Sequence, residues 1–139
     1  MPELHQLCQK GKLAEVRAAL ARGEDVNDKD SIGWTALMRA VWNKHNHILK
    51  LLLDQPAVDV NVKNIRGWTA LHRAASANNA EGARMLLLHK NFKSANVTDN
   101  GGLTALMVAV ICGKEEVLRE LVKHQCVSLD VGMLAGYQR

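Results

Sequence analysis

Apolar residues along this chain fall in a pattern that returns three times. After Thr35 they lie at Leu37, Ala40 and Val41, then at Ile48, Leu49, Leu52 and Leu53. These spacings describe two short amphipathic helices, each with one stripe to bury. The same layout follows Thr69 and Thr104. A threonine suits the position before each first helix, because its hydroxyl accepts a bond from a free backbone N–H of the first turn. Between the units lie DVNVKNIRG (59–67) and ANVTDNGG (95–102), rich in residues that favour turns and tolerate positive φ. The pattern predicts helix, turn, helix and then a protruding loop or hairpin.

The repetition extends to the letters. GWTALMRAV begins at Gly33, GWTALHRAA at Gly67 and GLTALMVAV at Gly102, 34 and 35 residues apart, and a period in this range marks a stacked array. The phrases TALMRA, TALHRA and TALMVA, with the LLL runs of the second helices and a V-N before each loop, resemble the ankyrin repeat over nearly the whole chain. The resemblance implies an all-α fold, an ankyrin-repeat solenoid of stacked helix-turn-helix units with protruding β-hairpin-like loops. It implies one domain, 1–139, with units at about 1–30, 31–64, 65–99 and 100–133 and the start of a further hairpin at 134–139.

The chain departs from the family pattern in several places. Ala36, Ala70 and Ala105 stand where the family has proline, which keeps helical propensity and forgoes a preset φ. The family's histidine is present as His5 and His72 and replaced by Met38 and Met107, so its polar tie is expected to be absent from those units. The glycine that ends the first helix is present as Gly11 and Gly113, while Lys44 and Asn78 take its place elsewhere; asparagine tolerates the left-handed conformation better than lysine. Gly82, inside a second helix, is expected to cost about 1 kcal/mol relative to alanine.

Composition narrows the function. The 139 residues are 47% hydrophobic and 23% charged, ordinary for a globular chain. No apolar run approaches the roughly 18 to 20 residues of a membrane helix, and MPELHQLCQKGK lacks the apolar centre of a secretory signal. A cytoplasmic or nuclear protein without membrane contact is expected. Cys8, Cys112 and Cys126 are odd in number and show no CxxC spacing, so they read as small buried thiols. His45 and His47 are two apart and lack a third ligand, so they read as a surface pair and not a metal site. No nucleophile arrangement or phosphate-binding glycine loop is present. The expectation is a monomer that is not an enzyme and carries neither cofactor nor metal.

Charge is unevenly spread. Residues 31–98 hold nine Lys or Arg against three acids, a net of +6 within a total of +4, and each flank is slightly acidic. In the family, the residue after each hairpin glycine lies on the concave side, where partners commonly bind. The resemblance thus puts Trp34, Trp68, Leu103 and Tyr137 in a row, one per unit. Arg39 and Arg73 would stand beside them on the first helices, Trp42 and Ile111 one turn further, and Lys63 and Arg66 in a loop. Tryptophan and arginine are frequent binding hot spots. The expected function is a scaffold or adaptor module that binds a partner protein, with an acidic or extended segment, on this concave surface. Two other readings stay open: a nucleic acid or anionic ligand held by the same Trp and Arg residues, which the acidic flanks disfavour, and a regulatory or spacer array within a larger multidomain protein. A packing role also stays open, with Arg39 and Arg73 stacked on Trp34 and Trp68 and Trp42 partly in the core. The family further implies that Asn61 and Asn96, at the V-N position, are candidate substrates of an asparaginyl hydroxylase.

Overall fold

The computed structural model describes residues 3–124 and residue 127. Among them are eight helices: α1 (Leu4–Lys10), α2 (Leu13–Ala21), α3 (Ala36–Trp42), α4 (Asn46–Leu53), α5 (Ala70–Ala77), α6 (Ala80–Leu87), α7 (Ala105–Cys112) and α8 (Glu115–Lys123). They form four pairs. The first helix of each pair packs on the first helix of the next (α1 on α3, α3 on α5, α5 on α7), and the second helices α2, α4, α6 and α8 follow suit. The stripes of α3 to α6 are buried where the spacing predicts, with Ile48, Leu49, Leu52 and Leu53 turned inward on α4 and Leu71, Ala74 and Ala75 on α5, whereas in the last pair Val110 and Leu118 are half-buried and Val122 is exposed. One continuous apolar cluster runs through all the units. None of the described helices is long and apolar enough to cross a membrane.

Local chemistry explains the ends of the helices. Thr35, Thr69 and Thr104 each accept a bond from the N–H three residues on, capping α3, α5 and α7. The first helices end in a left-handed residue: Gly11 at φ 74°, Lys44 at 58°, Asn78 at 55° and Gly113 at 66°. Lysine therefore adopts the conformation despite the steric cost at Cβ.

Between the pairs, the turns are short hairpins closed by one bond each, from Asp30 N–H to the Trp34 carbonyl, Asn64 N–H to Trp68 and Asp99 N–H to Leu103, at 3.0, 2.9 and 2.8 Å. Among the described residues the one isolated β-bridge pairs Lys29 with Thr35. Consecutive turns are tied together. Ile65 N–H donates to the Ile32 carbonyl at 3.3 Å and Asn100 N–H to the Arg66 carbonyl at 3.0 Å. Lower in each loop, an asparagine reaches into the following unit. Asn27 donates to the Ala57 carbonyl and accepts from Asp59 N–H, both at 2.7 Å. Asn61 donates to the Asn91 carbonyl at 3.0 Å and accepts from Lys93 N–H at 2.9 Å and the Ser94 hydroxyl at 2.7 Å.

Three expectations are corrected by packing. Gly82 is not a helix weakened by chance, because a Cβ there would stand 2.5 Å from Asn79 Nδ2 and 2.8 Å from its Cγ. Asn79 is 3% exposed, and its carboxamide caps α6 by accepting from Gly82 N–H at 2.9 Å. It also donates to the Val41 carbonyl of the preceding unit at 3.0 Å and exchanges bonds with Asn46. The glycine makes room for this junction. Of the two described cysteines, Cys8 is a buried thiol, with its pKa pushed up to about 12 by burial, and Cys112 ends α7 and is exposed; Cys126 lies outside the described residues. His45 is half-buried, and its ring packs beside Gly11 and bonds the Gln9 carbonyl at 3.1 Å, so it joins two units; His47 alone is exposed.

Candidate functional site

Equivalent positions on α3 and α5 carry Arg39 and Arg73, and both side chains turn toward Trp34 in the turn before α3. The Arg73 guanidinium carbon lies 3.5 Å from the Trp34 ring centroid, 4.9 Å from that of Trp68 and 5.2 Å from that of Trp42. The Arg39 carbon is 4.4 Å from Trp34. Trp34 and Trp42 meet edge to face, 6.5 Å between centroids at 84°. A cation over an indole face is attracted by the ring quadrupole, and more strongly as water is excluded. Arg73 therefore stands on an aromatic floor with aromatic walls.

Trp34 is 9% exposed and joins the core, while Trp42, expected partly in the core, is 41% exposed. The physical reason lies in the junction. Trp42 is the last residue of α3, and its position in the next unit holds Ser76, which is too small to cover an indole. Lys63 and Arg66 are exposed, and Leu103 is half-buried. Ile111 is 44% exposed one unit further on. Tyr137 lies outside the described residues.

Three side chains that the sequence reading passed over organise the turns. Asp30, Asn64 and Asp99 stand three residues before Gly33, Gly67 and Gly102. In each, Oδ1 accepts from two backbone N–H groups: those of Ile32 and Trp34, of Arg66 and Trp68, and of Gly101 and Leu103. The recurring spacing to the glycine was the available signal. Asp30 Oδ2 also accepts from Arg39 Nη2 at 2.6 Å, and Asp99 Oδ2 from Trp68 Nε1 at 2.8 Å. Burial pushes the Asp30 carboxyl upward, but the bonds from Trp34, Arg39 and Ile32 outweigh it and hold the group below the usual carboxylate range. Arg39 is also bonded to Gln9 Oε1 at 3.1 Å. Among the described residues Arg73 has neither an ion pair nor a hydrogen bond from its guanidinium, and its Nε is buried without a partner. Burial, reinforced by Arg66 and Arg39, pushes its pKa down to about 10. At neutral pH the group remains a cation, held close to two others. Beside it is a cavity of about 270 Å³ lined by Ile32, Trp34, Asn64, Ile65, Arg66 and Arg73. A larger cavity of about 510 Å³, between the turns after α4 and α6, shares no residue with this group.

Trp68 is fixed from below. It stacks on His72, 5.7 Å between centroids at 26°. His72 Nδ1 accepts from Thr69 N–H at 3.2 Å, which leaves the ring proton on Nε2 to donate to the Leu103 carbonyl of the next unit at 2.8 Å. His5 lacks this tie: its Nδ1 has no partner and its Nε2 faces Glu3 at 3.0 Å. Burial lowers the His72 pKa from its ordinary 6.5, with Lys63 adding to the shift and the Leu103 bond and Asp99 opposing it. The unfolded chain thus binds a proton more readily than the folded one, so the stability linked to His72 is complete above the ordinary imidazole value and drains away as pH falls below it. The melting temperature is expected to drop further between pH 7.5 and 5.5 in the wild type than in His72→Gln; equal drops would contradict this.

The family comparison agrees with this architecture. Models of the family described as ankyrin repeats match residues 57–132 (3 copies) and residues 4–53 (many copies). The chain is also similar to the mitochondrial disaggregase of Homo sapiens, 40% identical over 50 residues, a match covering 36% of this chain and 7% of that protein. The period, the threonine caps, the stacked helix pairs and the family matches converge: the chain belongs to the ankyrin repeat family.

Proposed function

We propose that the chain is a non-enzymatic scaffold or adaptor that binds another protein, through an acidic or extended segment, on the face made by the first helices and turns of its second and third units. Ankyrin repeats are generally protein–protein interaction modules and typically non-enzymatic, and the family resemblance implies that this face is the concave side. The observation that carries the reading is Arg73, a cation stacked on Trp34 that has no ion pair among the described residues. Trp42, Arg66 and Ile65 are exposed around it. An arginine already ordered by stacking loses less rotamer entropy when it bonds a carboxylate. Trp34 acts as the floor that orders the arginine, and Trp42 offers the accessible apolar surface. A nucleic acid on the same face is disfavoured, because the Asp30 and Asp99 carboxylates flank the site and a phosphate chain needs a continuous basic track.

The test is affinity capture from cell lysate with the wild type and a Trp42→Ala, Arg66→Ala, Arg73→Ala variant checked to melt at a similar temperature. Proteins held by the wild type are expected to be lost with the variant, and to be released by salt because the contacts are charged. Two baits that hold the same set would place binding elsewhere, and nuclease-sensitive capture would favour nucleic acid.

A further inference from the structure

The three turns are held in the same way, and the one whose holding residue is not an aspartate lies beside Arg73. Asp30, Asn64 and Asp99 use Oδ1 for the same purpose, to hold the turn. Their second polar atom differs. Asp30 Oδ2 neutralises Arg39 at 2.6 Å, and Asp99 Oδ2 takes the Trp68 indole N–H. Asn64 has an amide nitrogen there, a donor, which cannot accept from an arginine. Arg39 and Arg73 occupy the same place in successive units, six residues after Gly33 and Gly67, and Asn64 and Arg73 line the same cavity. The unit that follows has Val108 at the arginine position. A single junction thus carries an arginine whose carboxylate is missing from the turn.

Resting on the protein-binding reading above, we infer that Arg73 is the receptor for one side-chain carboxylate of a partner's extended segment, with a neighbouring aliphatic side chain of that segment seated between Ile32 and Ile65. The Asp30–Arg39 pair is the template for the bond. A side-chain acid of the partner does for Arg73 what Asp30 does for Arg39. Stacking on Trp34 covers the face of the guanidinium, and among the described residues Nη1 and Nη2 hold no hydrogen bond or ion pair, a fork that matches two carboxylate oxygens. The cavity, about 270 Å³, falls below the roughly 300–1,000 Å³ of small-molecule sites and suits one or two side chains. Ile32 and Ile65, 44% and 65% exposed, supply apolar rims. Charge limits the ligand to few negative charges: Arg39 is already neutralised by Asp30, Asp99 stands on the Trp68 side, and Arg73 and Arg66 are left to attract an acid.

The decisive variant is Asn64→Asp. It preserves Oδ1 for the turn and adds the oxygen that Arg73 lacks, so the site fills itself. Wild type, Asn64→Asp and Arg73→Gln are exposed to bead-displayed nonapeptides with random flanks, acetylated and amidated at their ends, carrying a central glutamate. Matched libraries carry glutamine or phosphoserine at the centre, or a free C-terminal carboxylate with no fixed acid. The wild type is expected to enrich glutamate peptides with an aliphatic residue beside the acid, about tenfold over glutamine, the scale of one charge-assisted fork. Asn64→Asp is expected to melt at or above the wild-type temperature and lose that enrichment, and Arg73→Gln to lose it as well. Undiminished binding by either variant overturns the inference, as does preference for glutamine, phosphoserine or the free terminus. If cell proteins are captured through Trp42, Arg66 and Arg73 but Asn64→Asp holds them equally, the carboxylate inference fails and the binding face stands. If neither lysate nor library yields a ligand, both fail.

Discussion

Gly67→Ala is expected to lower the unfolding free energy by about 3 kcal/mol, whereas Gly23→Ala costs about 1. Both glycines have positive φ, 77° and 87°, so alanine meets the same left-handed penalty at each, about 1–2 kcal/mol. Their surroundings differ. Nothing lies within 4 Å of a Cβ placed on Gly23, but on Gly67 that atom would stand 2.9 Å from Asn100 N and 3.1 Å from Asp99 Cα. Backbone cannot step aside as a flexible side chain can, and here it is the backbone that joins the second and third turns through the bond from Asn100 to Arg66. The difference between the variants isolates the contact from the conformation. Urea unfolding measures it; equal losses would mean that the turns are not in firm contact.

Asn79→Ala is expected to cost about 3 kcal/mol, through loss of the α6 cap, worth about 1, and exposure of unmet hydrogen-bonding groups at a buried junction. The carboxamide serves both units at once, holding Gly82 N–H of its own and the Val41 carbonyl and Asn46 of the one before. A double-mutant cycle with Asn46→Ala checks the account. The two losses should fall well short of additive, because the side chains bond each other. A loss below about 1 kcal/mol for Asn79→Ala would show that the cap alone matters.

Much of the fold was legible because apolar spacing and caps are local properties that recur: Thr35, Thr69 and Thr104 begin their helices where the pattern puts them. What could not be read were polar side chains whose partners sit about thirty residues away. Nothing around Asn79 distinguishes it from a surface loop asparagine until Val41 and Asn46 are brought to it. The same holds for Gly82, whose need is visible only once Asn79 is buried beside it. The tryptophan and arginine residues could be named, but not their order of layers. That Trp34 lies beneath Arg73, and that Trp42 is left uncovered, depends on the small Ser76 in the adjoining unit and on the reach of side chains, which periodicity does not encode.

The asparagines that cross from one unit to the next carry a consequence for how such a chain can change. Asn27 completes the backbone of the second unit, and Asn61 that of the third. Arg73 rests on a ring supplied by the unit before it. Units that look interchangeable in an alignment are therefore not tokens that can be shuffled, duplicated or exchanged at will. A duplication that copied the third unit behind itself would set the new arginine over Trp68, which already lies on His72 and is bound by Asp99, and the surface it made would not reproduce the first. The order of the repeats is itself inherited information, and selection can act on a junction as on a single trait.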